Sequence, residues 1–325
     1  AQGPRGGKDR SFLVHVAGMA CSGLLSKADF WEHDGDAPIL KYNQNQWLET
    51  HTDEAIVHAE GWLASLGIDK SRMEIDTKPL ANEGARIFRA DANRTYRSEP
   101  SRQLFIKLLS FAHTKFGDYQ QSMGYVAGLL MLFFDPATTL KVLTVLNDHP
   151  SFLPGYWRGE ATSCAVDGYV CFGLLKSALQ SHLRKVGLLP ETFVQKWFAG
   201  LCIHHLPYHV LFLFLDRFFA AGNAYLFQFF LAFFEEFEED FFRASNPEAN
   251  MLIRLAGGEQ PPEEARLVRV VEAATAACFA ERIAKLDLHR LRCTAFGDNL
   301  SLRLQRANEG MWQKQDEIEF SDEEA

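Results

Sequence analysis

Apolar residues recur at three- and four-residue intervals through most of the chain, and no segment sustains the alternation of a half-buried strand. Over residues 100–116 the helical positions are Leu104, Leu108, Phe111, Ala112 and Lys115. Pro100 suits a first turn and Gly117 a stop, so the spacing predicts a helix there. Leu175, Leu179, Leu183 and Val186 form a second stripe closed by Gly187, and Phe193, Trp197 and Leu201 repeat at four-residue steps. Leu267, Val270, Val271, Ala274 and Cys278 form another, behind Pro261–Pro262 and with Glu263 and Glu264 where the helix dipole favours anions. The longest apolar run, residues 218–234, holds 17 residues broken by Asn223 and Gln228 and bounded by Asp216–Arg217 and Glu235–Glu236. A membrane span takes roughly 20 apolar residues, so this run predicts one buried helix. Clusters of Gly, Pro and Asn predict loops at 84–93, 147–160, 188–190, 246–250 and 257–263. The predicted class is all-α, in two helical halves that meet near residues 149–155, and no repeat of 20–50 residues points to a solenoid.

Composition narrows the function classes. Against 33 Lys and Arg stand 42 Asp and Glu, a formal net charge of −9, whereas nucleic-acid binding wants a basic face. Hydrophobic and charged fractions of 47% and 23% are ordinary for a folded protein. The 27 Phe residues imply a core of bulky rings, which a chain of 325 residues can bury without disulfides. Cys21, Cys164, Cys171, Cys202, Cys278 and Cys293 make no CxxC pair and read as reduced core thiols of a cytosolic protein. Residues 12–25 superficially copy a signal peptide, but His15 interrupts the apolar run. Residues 311–325 read as a solvated acidic tail, in which Ser321 would suit an acidophilic kinase.

Several enzyme constellations can be set aside. His205 and His209 have the spacing of two ligands on a helix face, but Pro207 lies between them and no Glu follows His205, so core histidines are expected. No GxxxxGK(S/T), GxGxxG or GxSxG is present. The pairs Glu235–Glu236 and Glu238–Glu239 suit a solvated helix face better than acid–base work.

Two polar segments embedded among core helices remain: residues 88–95 (FRADANRT) and 119–124 (YQQSMG). Each alone has a plain reading. Asp91 and Arg94 can form a local ion pair at i,i+3, and Gln121 can cap or bridge helices. Together they resemble the signatures of TBC domains, the helical catalytic domains of Rab GTPase-activating proteins. Phe88, Asp91, Arg94 and Thr95 match a motif of the form IxxDxxRT, and Tyr119, Gln121 and Met123 match YxQGM. Leu206, Pro207 and Asp216 match part of LPxxxxLRxWD. The resemblance covers residues 85–234. Ser122 and Gly124 stand where the family usually has Gly and Asn, Arg97 where Pro is common, and Leu213 and Leu215 where Arg and Trp are usual.

The resemblance implies an all-α fold of two helical subdomains. Residues 1–50 form an unassigned N-terminal segment; 51–155 form the N-terminal TBC subdomain with both finger motifs; 156–310 form the C-terminal subdomain, ahead of the tail. It implies an activator of a GTP-loaded Rab-type GTPase that does no chemistry of its own. Arg94 would be the arginine finger and Gln121 the glutamine finger, supported by Asp91, Thr95, Tyr119 and Met123. No cofactor is expected, because GTP and Mg²⁺ belong to the partner. A cytoplasmic location follows, with recruitment to endomembranes through partners and no transmembrane segment. The alternatives are an inactive TBC-fold module that binds a Rab or serves as a scaffold, favoured by Ser122 and Gly124, and a helical scaffold unrelated to GTPases. From helix length and chain reach, Arg94 and Gln121 can meet at one end of the 100–116 helix if the segment after Thr95 runs back along it. In the C-terminal half, Trp197, Phe198, Leu201, Phe218 and Phe234 should be buried and Asp216 hydrogen-bonded.

Overall fold

A computed structural model describes residues 21–40, 44–69, 85–153, 155–158, 162–246, 249, 263–302 and 304–305. Those residues form helices and connections with no strand among them. The helices of eight residues or more are α1 (Thr52–Ser65), α2 (Ala85–Thr95), α3 (Glu99–Phe116), α4 (Gln121–Phe133), α5 (Pro136–Asp148), α6 (Thr162–Gly173), α7 (Ser177–Lys185), α8 (Tyr208–Ala221), α9 (Asn223–Glu236), α10 (Glu264–Ala273), α11 (Ala277–Ala284) and α12 (Leu288–Asn299). Pro261–Pro262, residues 257–262 of the expected loop, His15 and the acidic tail with Ser321 lie outside the described residues.

End signals set the helix boundaries where the side chains can act locally. Ser98 caps α3 by accepting from the Ser101 N–H, Pro100 sits in its first turn, and Gly117 ends it. Asp135 caps α5 by accepting from the N–H groups of Ala137 and Thr138.

Helix α2 corrects the expectation of a loop at 84–93. Its sequence, ARIFRADANRT, is rich in the helix formers Ala and Arg, and Phe88, Asp91, Ala92 and Thr95 form a buried stripe of helical period. Helices α2 and α3 pack antiparallel, as the Phe88–His113 and Tyr96–Phe105 ring contacts show. The corner between them is held by Asp34, whose buried carboxylate comes from a short helix far upstream (Phe30–Asp34). It accepts from the backbone N–H groups of Arg97 (2.9 Å) and Ser98 (2.7 Å), and from the hydroxyls of Ser98 (2.8 Å) and Ser101 (2.9 Å).

The C-terminal half holds the phenylalanine core. Trp197, Phe198, Leu201, Phe218 and Phe234 are all buried, as expected, and Trp197 meets Phe233 edge-on at 4.8 Å. The run at 218–234 is two helices, not one. Gly222 breaks it with φ 68° and ψ −152°, and a Cβ there would lie 2.0 Å from the Ser151 carbonyl oxygen. Asn223 then donates its N–H to that oxygen at 2.7 Å, and the chain restarts as α9. The four-residue repeat of Phe193, Trp197 and Leu201 likewise ends early. A wide π-type turn (Gln195–Ala199) is followed by Leu201 and Cys202 with φ of 47° and 55°, positions strained for side-chain-bearing residues and tolerated here inside a packed core. The stripe from Leu267 also stops short: α10 ends at Ala273, so Cys278 belongs to α11.

All six cysteines are free thiols, but only Cys21, Cys164, Cys171 and Cys202 are buried; Cys278 and Cys293 are exposed, which corrects the core reading for those two. Their helices lie at the surface with one buried face each. His205 is buried in the turn before α8, while His209 on α8 pairs with Glu264, and no cluster of metal-binding side chains occurs among the described residues. No helix there is long and apolar enough to cross a membrane.

Helix α1 packs on α8 through an aromatic and ionic seam. Trp62 stacks on Phe212 and Phe219, its Nε1 donates to Asp216 Oδ1 at 2.8 Å, and His58 Nδ1 lies 2.7 Å from Asp216 Oδ2. The expected hydrogen bonding of Asp216 is thus supplied from α1. Farther on, Asp167 of α6 is buried under Arg292 of α12, accepting from Nε at 2.6 Å and Nη2 at 2.8 Å, with the Tyr156 hydroxyl as a further donor.

Two outcomes follow. Asp34→Ala strands two backbone N–H groups and two hydroxyls at the α2–α3 corner and should lower unfolding free energy by ~3 kcal/mol or more, read by denaturant titration. The hydrogen bond to Asp216 raises the His58 pKa above its ordinary 6.5, aided by the charges of Asp216 and Glu54 and opposed by burial. A raised folded-state pKa means that the contribution is complete below about pH 6.5 and is lost as pH rises through the folded value. The stability advantage of wild type over His58→Asn should therefore shrink from pH 6 to pH 9; an advantage that grew over that range would contradict the pairing.

Candidate functional site

Arg94 sits one residue before the end of α2, and Gln121 is the first residue of α4. Side chains on a helix lean toward its N-terminus, so Arg94 reaches back along α2 to Asp91, one turn earlier. The carboxylate of Asp91 is buried, its side chain 6% exposed, whereas Arg94 is 62% exposed. The Arg94 Nη2 donates to Asp91 Oδ1, and the Tyr119 hydroxyl donates to Asp91 Oδ2. Arg94 and Gln121 do not meet at an end of α3 with the segment after Thr95 as the return, which corrects the expectation from chain reach. Helix α2 itself runs antiparallel to α3, and the chain after Gly117 brings Gln121 up beside the last turn of α2.

The Gln121 carboxamide can stand in two senses. In one, Nε2 donates to Asp91 Oδ1 at 3.3 Å. In the other, Oε1 accepts from Arg94 Nη2 at 2.7 Å and Nη1 at 3.0 Å, while Nε2 donates to the Tyr125 hydroxyl at 3.2 Å. The second matches donor to acceptor at both ends and is the better assignment. Either way, guanidinium, carboxamide and carboxylate form one cluster.

They line an open cleft of about 250 Å³ with Pro38, Ile39, Thr95, Gly124, Tyr125 and His204. The Thr95 hydroxyl donates to the Asp91 carbonyl at 2.7 Å. Met123 is fully buried in the core and does not line the cleft. Burial, and then the Asp91 charge, pushes the Tyr119 phenol well above its ordinary pKa, and burial raises that of Tyr125, so both hydroxyls keep their protons. Motif reading missed Pro38, Ile39 and His204. The first two come from the segment left unassigned, and the Ile39 N–H bonds the Thr95 carbonyl at 3.4 Å. The His204 ring meets Tyr125 edge-on at 4.2 Å; only its nearness in sequence to His205 could have drawn notice.

A larger cleft of about 410 Å³ lies between α6 and α12, lined by Asp167, His289, Arg292 and Cys293 among others. Its guanidinium is held in two bonds by Asp167, so its most charged pair is already satisfied. The smaller cleft holds the more exposed guanidinium, 62% for Arg94 against 35% for Arg292.

The fold and the site together define the class: an all-helical domain that holds an exposed guanidinium and a carboxamide side by side. The family follows from comparison. The Rab-GTPase-TBC domain profile matches residues 65–242, more than half of the chain, and the chain belongs to that family. Carabin of mouse (Mus musculus) is 28% identical over 113 residues, which are 34% of this chain and 25% of carabin. Human (Homo sapiens) TBC1 domain family member 10B is 27% identical over 113 residues, 34% of this chain and 14% of that protein. The matched segment thus spans a quarter or less of these curated relatives. The crystal structure of the Chlamydomonas flagellar RabGAP TBC domain is 16% identical with a TM-score of 0.48, covering 84% of this chain and 87% of that one.

Gln121 at the cleft and the buried Met123 of the same helix separate in stability. Gln121→Ala should move the unfolding free energy by no more than about 0.5 kcal/mol, as half-exposed side chains do, whereas Arg94→Ala takes a charged partner from the buried Asp91 and should cost ~1–3 kcal/mol without unfolding the domain. Met123→Ala, which empties a buried volume, should cost ~2–5 kcal/mol in the same titration.

Proposed function

We propose that this chain is a GTPase-activating domain that acts in trans on a GTP-loaded Rab-type small GTPase, inserting Arg94 and Gln121 as its two fingers. The observation that carries the reading is the meeting of these side chains, from separate helices, over one buried carboxylate at the mouth of an open cleft. Family membership supports the partner class.

The chemistry asks for those two groups. A small GTPase is slow because charge on the transferring phosphoryl group is incompletely stabilised and the attacking water is poorly held. A guanidinium offers a planar fork of donors to phosphate oxygens, which an ammonium cannot copy. Asp91 takes one of those donors and the Gln121 oxygen accepts one from each Nη, while the exposed side chain keeps its remaining N–H groups for a phosphate. A carboxamide supplies both a donor and an acceptor, so Gln121 can hold the water and contact the GTPase backbone at once. GTP and Mg²⁺ arrive with the partner, and this chain works where the partner sits, recruited to endomembranes through it.

Phosphate release from a panel of GTP-loaded Rab proteins tests the reading. On a responsive Rab, Arg94→Ala and Arg94→Lys should each remove ~10³-fold or more of the stimulation, and Gln121→Ala about 10²-fold through a misplaced water. Stimulation should largely survive replacement of the GTPase's own switch Gln, since Gln121 acts in its stead. Near-normal activity of Arg94→Lys would remove Arg94 as the finger, and GTP-dependent binding without stimulation would make the chain a Rab-binding module instead.

A further inference from the structure

Gly124 lies in the first turns of α4 and is buried at the edge of the cleft. A Cβ built on it would stand 2.5 Å from the Tyr119 hydroxyl oxygen, closer than real Cβ atoms approach, yet 3.6 Å from the ring carbon that bears that oxygen, which is ordinary contact. The hydroxyl therefore occupies the space that any other residue at 124 would fill. From there it donates to Asp91 Oδ2, while Arg94 donates to Asp91 Oδ1. The ring is seated independently: it packs edge-on against the buried Phe88 at 5.1 Å.

From this juxtaposition we infer that Tyr119 is a positioning residue for Arg94, that it acts by clamping Asp91, and that the missing side chain at Gly124 is what lets the clamp close. The inference rests on the proposed activator function for its consequence, but not for its geometry. A carboxylate gripped on one oxygen has one oxygen left to present, in a fixed direction, and an exposed guanidinium bonded there is aimed rather than free to rotate. Without the phenol, Asp91 can turn about its χ angles and Arg94 follows it. The burial of Tyr119 keeps its proton in place, so the hydroxyl remains a donor throughout the neutral range. In the family pattern this position usually carries Asn; the clamp in this chain depends on a glycine there.

The test is a double-mutant cycle on the full chain, with Tyr119→Phe, Gly124→Ala and the pair together. Gly→Ala inside a helix ordinarily stabilises, so the background decides the sign. In wild type, Gly124→Ala should lower the melting temperature by collision with the hydroxyl. In Tyr119→Phe it should raise it by about 2 °C, because only the ordinary ring contact remains. A shift of the same sign in both backgrounds overturns the inference. The second readout is the NMR signal of the Arg94 guanidinium Nε–H, assigned by its loss in Arg94→Lys. It should broaden or shift in both single variants, and an unchanged signal in Tyr119→Phe also overturns the inference.

On a responsive Rab, Tyr119→Phe should lower kcat about tenfold with KM for the GTPase within twofold, and adding Gly124→Ala should cost nothing more. A rise in KM without a fall in kcat would assign the hydroxyl to docking instead of aiming. Should wild type stimulate no Rab, the functional reading fails alone, and the melting and NMR cycles still decide whether the clamp exists.

Discussion

A carboxylate taken out of water must be surrounded by donors or it destabilises the fold that buries it, and the arrangement of this domain follows from satisfying two of them. Asp34 collects donors from residues 97–101 and so fixes the corner at which α2 turns into α3. With that corner held, α2 lies antiparallel to α3 and presents Asp91 toward the start of α4. Asp91 then collects Tyr119 and Arg94, with Gln121 against Arg94 and Tyr125. The first carboxylate sets the frame, and the second gathers the chemistry.

The partition of burial between Asp91 and Arg94 is what makes the cluster useful. A guanidinium buried together with its carboxylate would be a structural ion pair and nothing more. Here the carboxylate is enclosed and the guanidinium is mostly in solvent, so the pair orients a donor fork without consuming it. The Asp167–Arg292 pair is a counterexample within the same molecule, since two bonds and a buried acid tie that arginine into the packing of α12 on α6. The difference between a structural and a presented arginine lies in what surrounds each pair and is not visible in the residue types.

Much of the fold was legible because its causes are local. The cap at Ser98, the early Pro100 and the stop at Gly117 lie within a turn of the helix ends they define, and the aromatic stripes of the C-terminal half are as buried as their period implies. The errors arose where a tertiary neighbour overruled a local signal. The apolar run at 218–234 is continuous in composition, yet Gly222 breaks it to meet the Ser151 carbonyl, which is more than 70 residues away in the chain. Composition around Asn93 suggested a loop, yet the buried stripe of Phe88, Asp91, Ala92 and Thr95 gives α2 a face to pack.

The sequence by itself determined that the chain is helical, that its core is built of rings, and which two polar segments resemble the signatures of the family to which the chain belongs. Period, capping and residue chemistry are all read within a few residues, so no knowledge of the distant chain was needed. Only the tertiary structure decided that Arg94 and Gln121 meet beside the buried Asp91, that Pro38, Ile39 and His204 wall their cleft, and that Gly124 makes room for the Tyr119 hydroxyl. Those facts depend on which buried groups find partners across long loops. That outcome is set by the packing of the whole chain against the cost of leaving a carboxylate unsatisfied.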